Sequence, residues 1–145
     1  MRSVASRDPD LLQTLLAAEH AAVYGYGVLG ARLDDATRRQ ARLASDAHRA
    51  RRNALTSLLR DRGATAPAAL ASYDVIVVGK PDALALAVRL EEGLAVRWRD
   101  LVGGAEDLSL RTLGASGLQE VAIRAARWRA LLGVRPPSVA LPGQV

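Results

Sequence analysis

Apolar residues recur at steps of three and four along four separate stretches of the chain, the period of a helix with one buried face. Leu12, Leu15, Leu16, Val23, Tyr26, Leu29 and Leu33 mark the first stretch, and Leu43, Ala44, Ala47, Leu55, Leu58 and Leu59 the second. The third carries two stripes: Leu84, Val88, Ala95 and Trp98 on one side, Leu86, Leu90, Leu94 and Leu101 on the other. Breaks in the pattern coincide with helix-ending or helix-starting residues. Asp8 is placed to cap a helix with Pro9 at its first position, and Asp34-Asp35 ends that helix and caps the next. Gly63 stops the second helix, Gly79-Lys80-Pro81 opens the third, and Gly103-Gly104 closes it. Gly133 and Pro136-Pro137 end the fourth. The predicted helices run from Asp8 to the Asp34-Asp35 break, from about Asp35 to Arg62, from Pro81 to about Val102, and from about Ala105 to Leu132. Gly25, Gly27 and Gly30 each weaken the first helix by roughly 1 kcal/mol relative to Ala, and their spacing predicts close approach of a neighbouring helix.

Helices of this length extend about 33–42 Å at 1.5 Å per residue, which suits a four-helix bundle. The links between helices one and two and between three and four are short, so each pair forms an antiparallel hairpin. The middle link, residues 64–80, is long enough to run the length of the bundle. An all-α fold of two hairpins joined by one long crossover is the ferritin-like arrangement rather than up-down-up-down. Within the crossover, Val75-Ile76-Val77-Val78 is expected to be extended, with alternate side chains on the helices. The whole chain, 1–145, reads as one domain, with extended tails at 1–7 and 134–145. Pro136, Pro137, Pro142 and Gly143 disfavour a fifth helix, and with it a ferritin-type cage. Surplus apolar faces on helices one and three predict a homodimer.

Composition adds constraints. Half of the residues are hydrophobic and there is no Cys, which excludes both a disordered chain and a disulfide scaffold. The net charge is +5, and Lys80 is the one basic residue that is not Arg. Residues 38–62 hold eight Arg against two Asp, which raises a nucleic-acid reading. A solvated helix face and the Arg and Ala usage of a GC-rich genome explain the run equally well, so a nucleic-acid partner is not expected. The first ten residues lack the apolar core of a signal peptide, and no apolar stretch is long enough to span a bilayer. The expectation is a cytoplasmic protein.

Four ionisable residues fall where the helical pattern calls for apolar ones. Glu19 lies midway between Leu12 and Tyr26, His48 is seven residues before Leu55, and Glu91 lies midway between Leu84 and Trp98. Glu120 follows Leu113 by seven, near the inner face of the fourth helix. All four lie near helix midpoints, hence at one level of the bundle. Buried there, they must pair or coordinate something.

The segments Glu19-His20-Ala21-Ala22-Val23-Tyr24-Gly25-Tyr26-Gly27, His48-Arg49-Ala50-Arg51-Arg52, Arg89-Leu90-Glu91-Glu92-Gly93 and Trp98 resemble an actinobacterial ferritin-like domain family of unknown function. The resemblance runs through Arg127-Trp128-Arg129 to the Pro142-Gly143 tail. It implies a ferritin-like bundle packed as a dimer, and brings no activity or substrate.

Ferritin-like di-metal proteins use one Glu from each of two helices and a Glu-x-x-His from each of the others. Glu19 and Glu91 match the single Glu positions. His48 matches a motif His whose Glu is replaced by Ser45, and Glu120 matches a motif Glu whose His is replaced by Ile123. Glu19, His48, Glu91 and Glu120 are therefore candidate ligands of a degenerate site that could hold one iron, manganese or zinc ion. Arg52, one turn from His48, and Arg124, one turn from Glu120, offer the opposing outcome, a metal-free polar network in which Tyr24 also takes part. His20 points off the stripe. Gly79-Lys80-Pro81 lacks the upstream Gly and the Ser/Thr of a phosphate loop, and Met1, the single Met, leaves no bundle methionine for haem. The favoured reading is a non-catalytic binding or structural module without a cofactor. The alternatives are an iron- or manganese-dependent oxidase or iron-handling protein and, more weakly, a nucleic-acid-associated protein.

Overall fold

The computed structural model describes residues 5–144 and contains four helices among them: α1 (Asp8–Gly30), α2 (Asp35–Asp61), α3 (Lys80–Gly104) and α4 (Leu108–Leu132). Residues 1–4, part of the expected N-terminal tail, lie outside the described residues. Asp34 caps α2 by accepting the Thr37 amide at 3.0 Å, and Asp107 caps α4 by accepting the Ser109 amide at 2.8 Å. Gly63 and Gly133 adopt the left-handed conformation that ends α2 and α4, with φ of 67° and 88°. Asp8 departs from expectation. It is the first residue of α1, behind Arg7, and its carboxylate accepts the Glu106 and Asp107 amides at 2.7 and 3.1 Å. Asp8 thus ties the start of α1 to the α3–α4 turn.

Two apolar clusters fix the helix directions. One joins Leu12, Leu15 and Leu16 of α1 with Leu55 and Leu59 of α2, Leu94, Trp98 and Leu101 of α3, and Leu110 and Val121 of α4. The other joins Tyr26 and Leu29, Ala41 and Ala44, Leu84 and Ala87, and Trp128. The start of α1 therefore lies beside the ends of α2 and α3, so α1 is antiparallel to both and α2 is parallel to α3. A parallel α2–α3 pair requires residues 62–79 to travel the length of the bundle, and an ion pair between Lys80 and Asp34 brings the starts of α3 and α2 together. The fold is all-α, two antiparallel hairpins joined by one long crossover.

The crossover is held mainly by α1. His20 Nε2 lies 3.0 Å from the Pro67 carbonyl, Gln13 donates to the Thr65 carbonyl at 2.8 Å, and Tyr24 packs on Tyr73. Val75 and Val77 pack on the second cluster while Ile76 and Val78 face outward, the alternation of an extended strand. Among the described residues the chain after Gly133 is non-helical and returns to α3. A Cβ on Gly143 would meet the Ala95 carbonyl, and Arg129 donates to the Pro137 carbonyl at 3.1 Å.

α3 packs against both α1 and α4, which is why it carries two apolar stripes. α2 and α4 approach one another far less closely, leaving the fourth side of the bundle partly open. The glycine expectation needs correction. A Cβ on Gly25 would stand 2.6 Å from Leu90 Cδ1, but Gly27 and Gly30 face open space. The tightest helix approach lies on α4, where Gly114 abuts Val102 and Gly117 lies against the ring of Trp98.

Candidate functional site

Between the two apolar clusters lies a polar layer contributed by all four helices. α1 supplies Glu19, α2 His48 and α3 Glu91, each completely buried. The helical register that keeps Leu12, Glu19 and Tyr26 on one stripe also points Glu19 inward. The same holds for Leu84, Glu91 and Trp98 on α3.

The three side chains form a chain of hydrogen bonds. His48 Nδ1 lies 2.8 Å from Glu19 Oε2, and His48 Nε2 lies 3.0 Å from Glu91 Oε1. A carboxylate accepts and does not donate, so both ring nitrogens carry protons when both carboxylates are ionised. Burial opposes the charged imidazole, but its hydrogen bonds to Glu19 and Glu91 outweigh that effect and raise its pKa to about 9. His48 is therefore an imidazolium at neutral pH. Arg124 of α4 donates its Nε to both oxygens of Glu91, at 3.2 and 3.3 Å. The Tyr26 hydroxyl donates to Glu91 Oε1 and accepts the Trp128 Nε1 proton at 2.8 Å. Burial and the Glu91 charge push the Tyr26 pKa well above the usual tyrosine value. Formal charges within the layer cancel: two carboxylates against one imidazolium and one guanidinium.

Three of the expected members lie elsewhere. Glu120 is half-exposed and pairs with Arg51, whose Nε donates to Glu120 Oε2 at 3.2 Å. The Arg51 guanidinium also lies over the Trp98 ring, 5.2 Å from its centroid. Arg52 points away from the layer and bonds Asn53 at 3.1 Å. Tyr24 is at the surface on Tyr73. Their neighbours on the helix explain each displacement. Position 51 faces α4 where 52 faces solvent, and position 26 faces the core where 24 faces the crossover. Arg124 belongs to the layer as expected, although its partner is Glu91 rather than Glu120. Tyr26 and Trp128 join the layer through their polar groups, beyond the set that the sequence pattern picks out. Their signal was present, since Tyr26 follows Glu19 by seven residues and its hydroxyl would reach the same level.

A metal ion held here would need lone pairs that converge on one point. Instead both His48 nitrogens face carboxylates, and Tyr26 and Arg124 occupy Glu91. Among the described residues no three His, Cys, Asp or Glu side chains are grouped as metal ligands. In this arrangement the residues do not fit iron, manganese or zinc. One acceptor is left over in the layer: Glu19 Oε1 is buried without a hydrogen-bond partner.

Comparison with known proteins places the chain in a family. Residues 11–145 match the domain of unknown function DUF4439, and the chain belongs to that family. It is also similar to a conserved hypothetical protein, rv2844, of Mycobacterium tuberculosis, known from a crystal structure. The two are 38% identical with a TM-score of 0.85, over 90% of this chain and 100% of that one. No curated protein matches the chain. No helix among the described residues is long and apolar enough to cross a membrane.

Proposed function

We propose that this protein is a ferritin-like bundle whose di-metal position is taken by a metal-free ion network, and that it works as a binding module rather than an oxidase. The carrying observation is His48, whose two nitrogens each face a buried carboxylate. An imidazolium donating at both nitrogens has no lone pair to give a metal. Arg124 fills the complementary role, bringing a fixed positive charge to Glu91 where a metal cation would otherwise neutralise it. Purified protein assayed by elemental analysis should contain far less than one iron, manganese or zinc per chain. Addition of these ions should leave Tm unchanged. Stoichiometric metal in the purified protein contradicts the reading.

A second reading, an iron- or manganese-dependent oxidase or iron-handling protein, draws on Glu19 Oε1, a buried acceptor with nothing to accept. It requires His48 to release one carboxylate and turn. The nucleic-acid reading is weaker, because three of the eight Arg in the 38–62 run, Arg38, Arg51 and Arg62, are engaged in ion pairs within the chain. A single domain, a homodimer and a cytoplasmic location are part of the proposal. The apolar side chains offered to a second copy are Ile76 and Val78 of the crossover, since α1 and α4 cover the two apolar faces of α3.

A further inference from the structure

The open side of the bundle, between α2 and α4, holds a groove of about 530 Å³, within the size range of small-molecule sites. Its walls are mostly apolar: Leu43 and Ala44 from α2, Trp128, Ala130 and Leu131 from α4. Leu43 and Leu131 are exposed although they sit at the edges of an apolar cleft. The polar lining is unbalanced. Gln40, Arg124 and Arg127 contribute to it, and no acidic side chain does.

Arg124 links this groove to the buried layer. Its Nε is committed to Glu91, and its side chain is 16% exposed. Among the described residues its two terminal nitrogens make no hydrogen bond, and Arg127 makes no ion pair. A guanidinium held by one edge in a largely apolar, half-buried setting presents its other edge to an acceptor. Two parallel N–H groups match a carboxylate in bidentate geometry. A doubly charged head would meet repulsion from Glu91, which already faces the same guanidinium. The apolar walls then call for an apolar chain behind the head.

We propose that the α2–α4 groove binds a small carboxylate bearing an apolar chain, its head on Arg124 and Arg127 and its chain along Leu43, Trp128 and Leu131. This names the ligand class of the binding module proposed above and rests on that reading through the placement of Arg124.

Trp128 lines the groove, so its fluorescence reports occupancy. Decanoate, kept below the concentration at which it forms micelles, should change the emission saturably and raise Tm. Acetate, which lacks the chain, and decanol, which lacks the charge, should each bind at least about tenfold more weakly. Arg127→Gln, at an exposed position without internal partners, should weaken decanoate binding, and Leu43→Glu should abolish it. Arg124→Lys keeps a cation beside Glu91 but loses the paired donors, and should lose about tenfold in affinity. The proposal is overturned if decanoate produces no saturable change, if decanol binds as well, or if decyl phosphate binds more tightly. It is equally overturned if the variants bind like the wild type, or if a second copy of the chain buries Leu43 in solution. Elemental analysis of the same sample separates the two ideas: decanoate binding can fail in metal-free protein, and stoichiometric metal contradicts the core reading whatever decanoate does.

Discussion

His48 holds its Nδ1 2.8 Å from Glu19 Oε2, joining α1 and α2 through an ion pair that water does not reach. The pair makes stability depend on pH in a defined direction. The His48 pKa is raised to about 9 in the folded protein, against an unfolded value near 6.5. The native state therefore binds the extra proton more tightly. The resulting stabilisation is fully present below about pH 6.5 and is lost as pH rises through about 9. Unfolding free energy should fall on the order of 3 kcal/mol across that window. Urea denaturation between pH 6 and 9.5 measures it, and His48→Gln should remove most of the slope.

Glu91 is the hub of the layer, bonded by His48, Tyr26 and Arg124. Glu91→Ala leaves the buried imidazolium with Glu19 alone and the Arg124 guanidinium without its carboxylate, and should destabilise the protein by roughly 3–5 kcal/mol. Glu120→Ala removes only a partly exposed pair with Arg51 and should cost no more than about 1 kcal/mol. Chemical denaturation of the two variants side by side tests whether the polar layer has three carboxylates or two. Equal losses would return Glu120 to the core.

The α3–α4 contact should respond to a single methyl group. A Cβ at Gly117 would run into the Trp98 ring, so Gly117→Ala should destabilise by at least about 1–3 kcal/mol despite the better helix propensity of Ala. Gly27 faces open space on α1, and Gly27→Ala should instead stabilise by up to about 1 kcal/mol. Thermal melts of the two variants should move in opposite directions.

Much of this was legible in the sequence. Helix periodicity and loop length define two hairpins and a crossover, because a 17-residue link cannot be the turn of a tight hairpin. Glu19, His48 and Glu91 stand out because a charge on an apolar stripe has nowhere else to go. Arg52 and Tyr24 lie one and two positions from Arg51 and Tyr26, the residues that make the contacts expected of them. A helix turns about 100° per residue, so Arg51 rather than Arg52 faces α4; Tyr26 already stood on the apolar stripe, and the stripe alone does not show that its hydroxyl joins the layer where Tyr24 does not. Periodicity locates a stripe to within that rotation and no better. The partner of Arg124 was illegible for another reason. Pairing it with Glu120 assumes contact along one helix, whereas the packing of α4 against α3 brings it to Glu91. The close approach at Gly114 and Gly117 is not encoded along α4, because their neighbours, Val102 and Trp98, come from another helix. The groove lies on a side defined by which helix pair fails to touch, a property of the assembled bundle alone.

The central claim is that His48 is an imidazolium bonded at both nitrogens inside a metal-free core. Nitrogen-15 NMR of the histidine ring at neutral pH tests it most directly. Two protonated ring nitrogens are expected for His48, both slow to exchange with water, persisting until pH approaches about 9. A His48 ring with one bare nitrogen at neutral pH, either titrating near 6.5 or shifted by a bound metal, would contradict it.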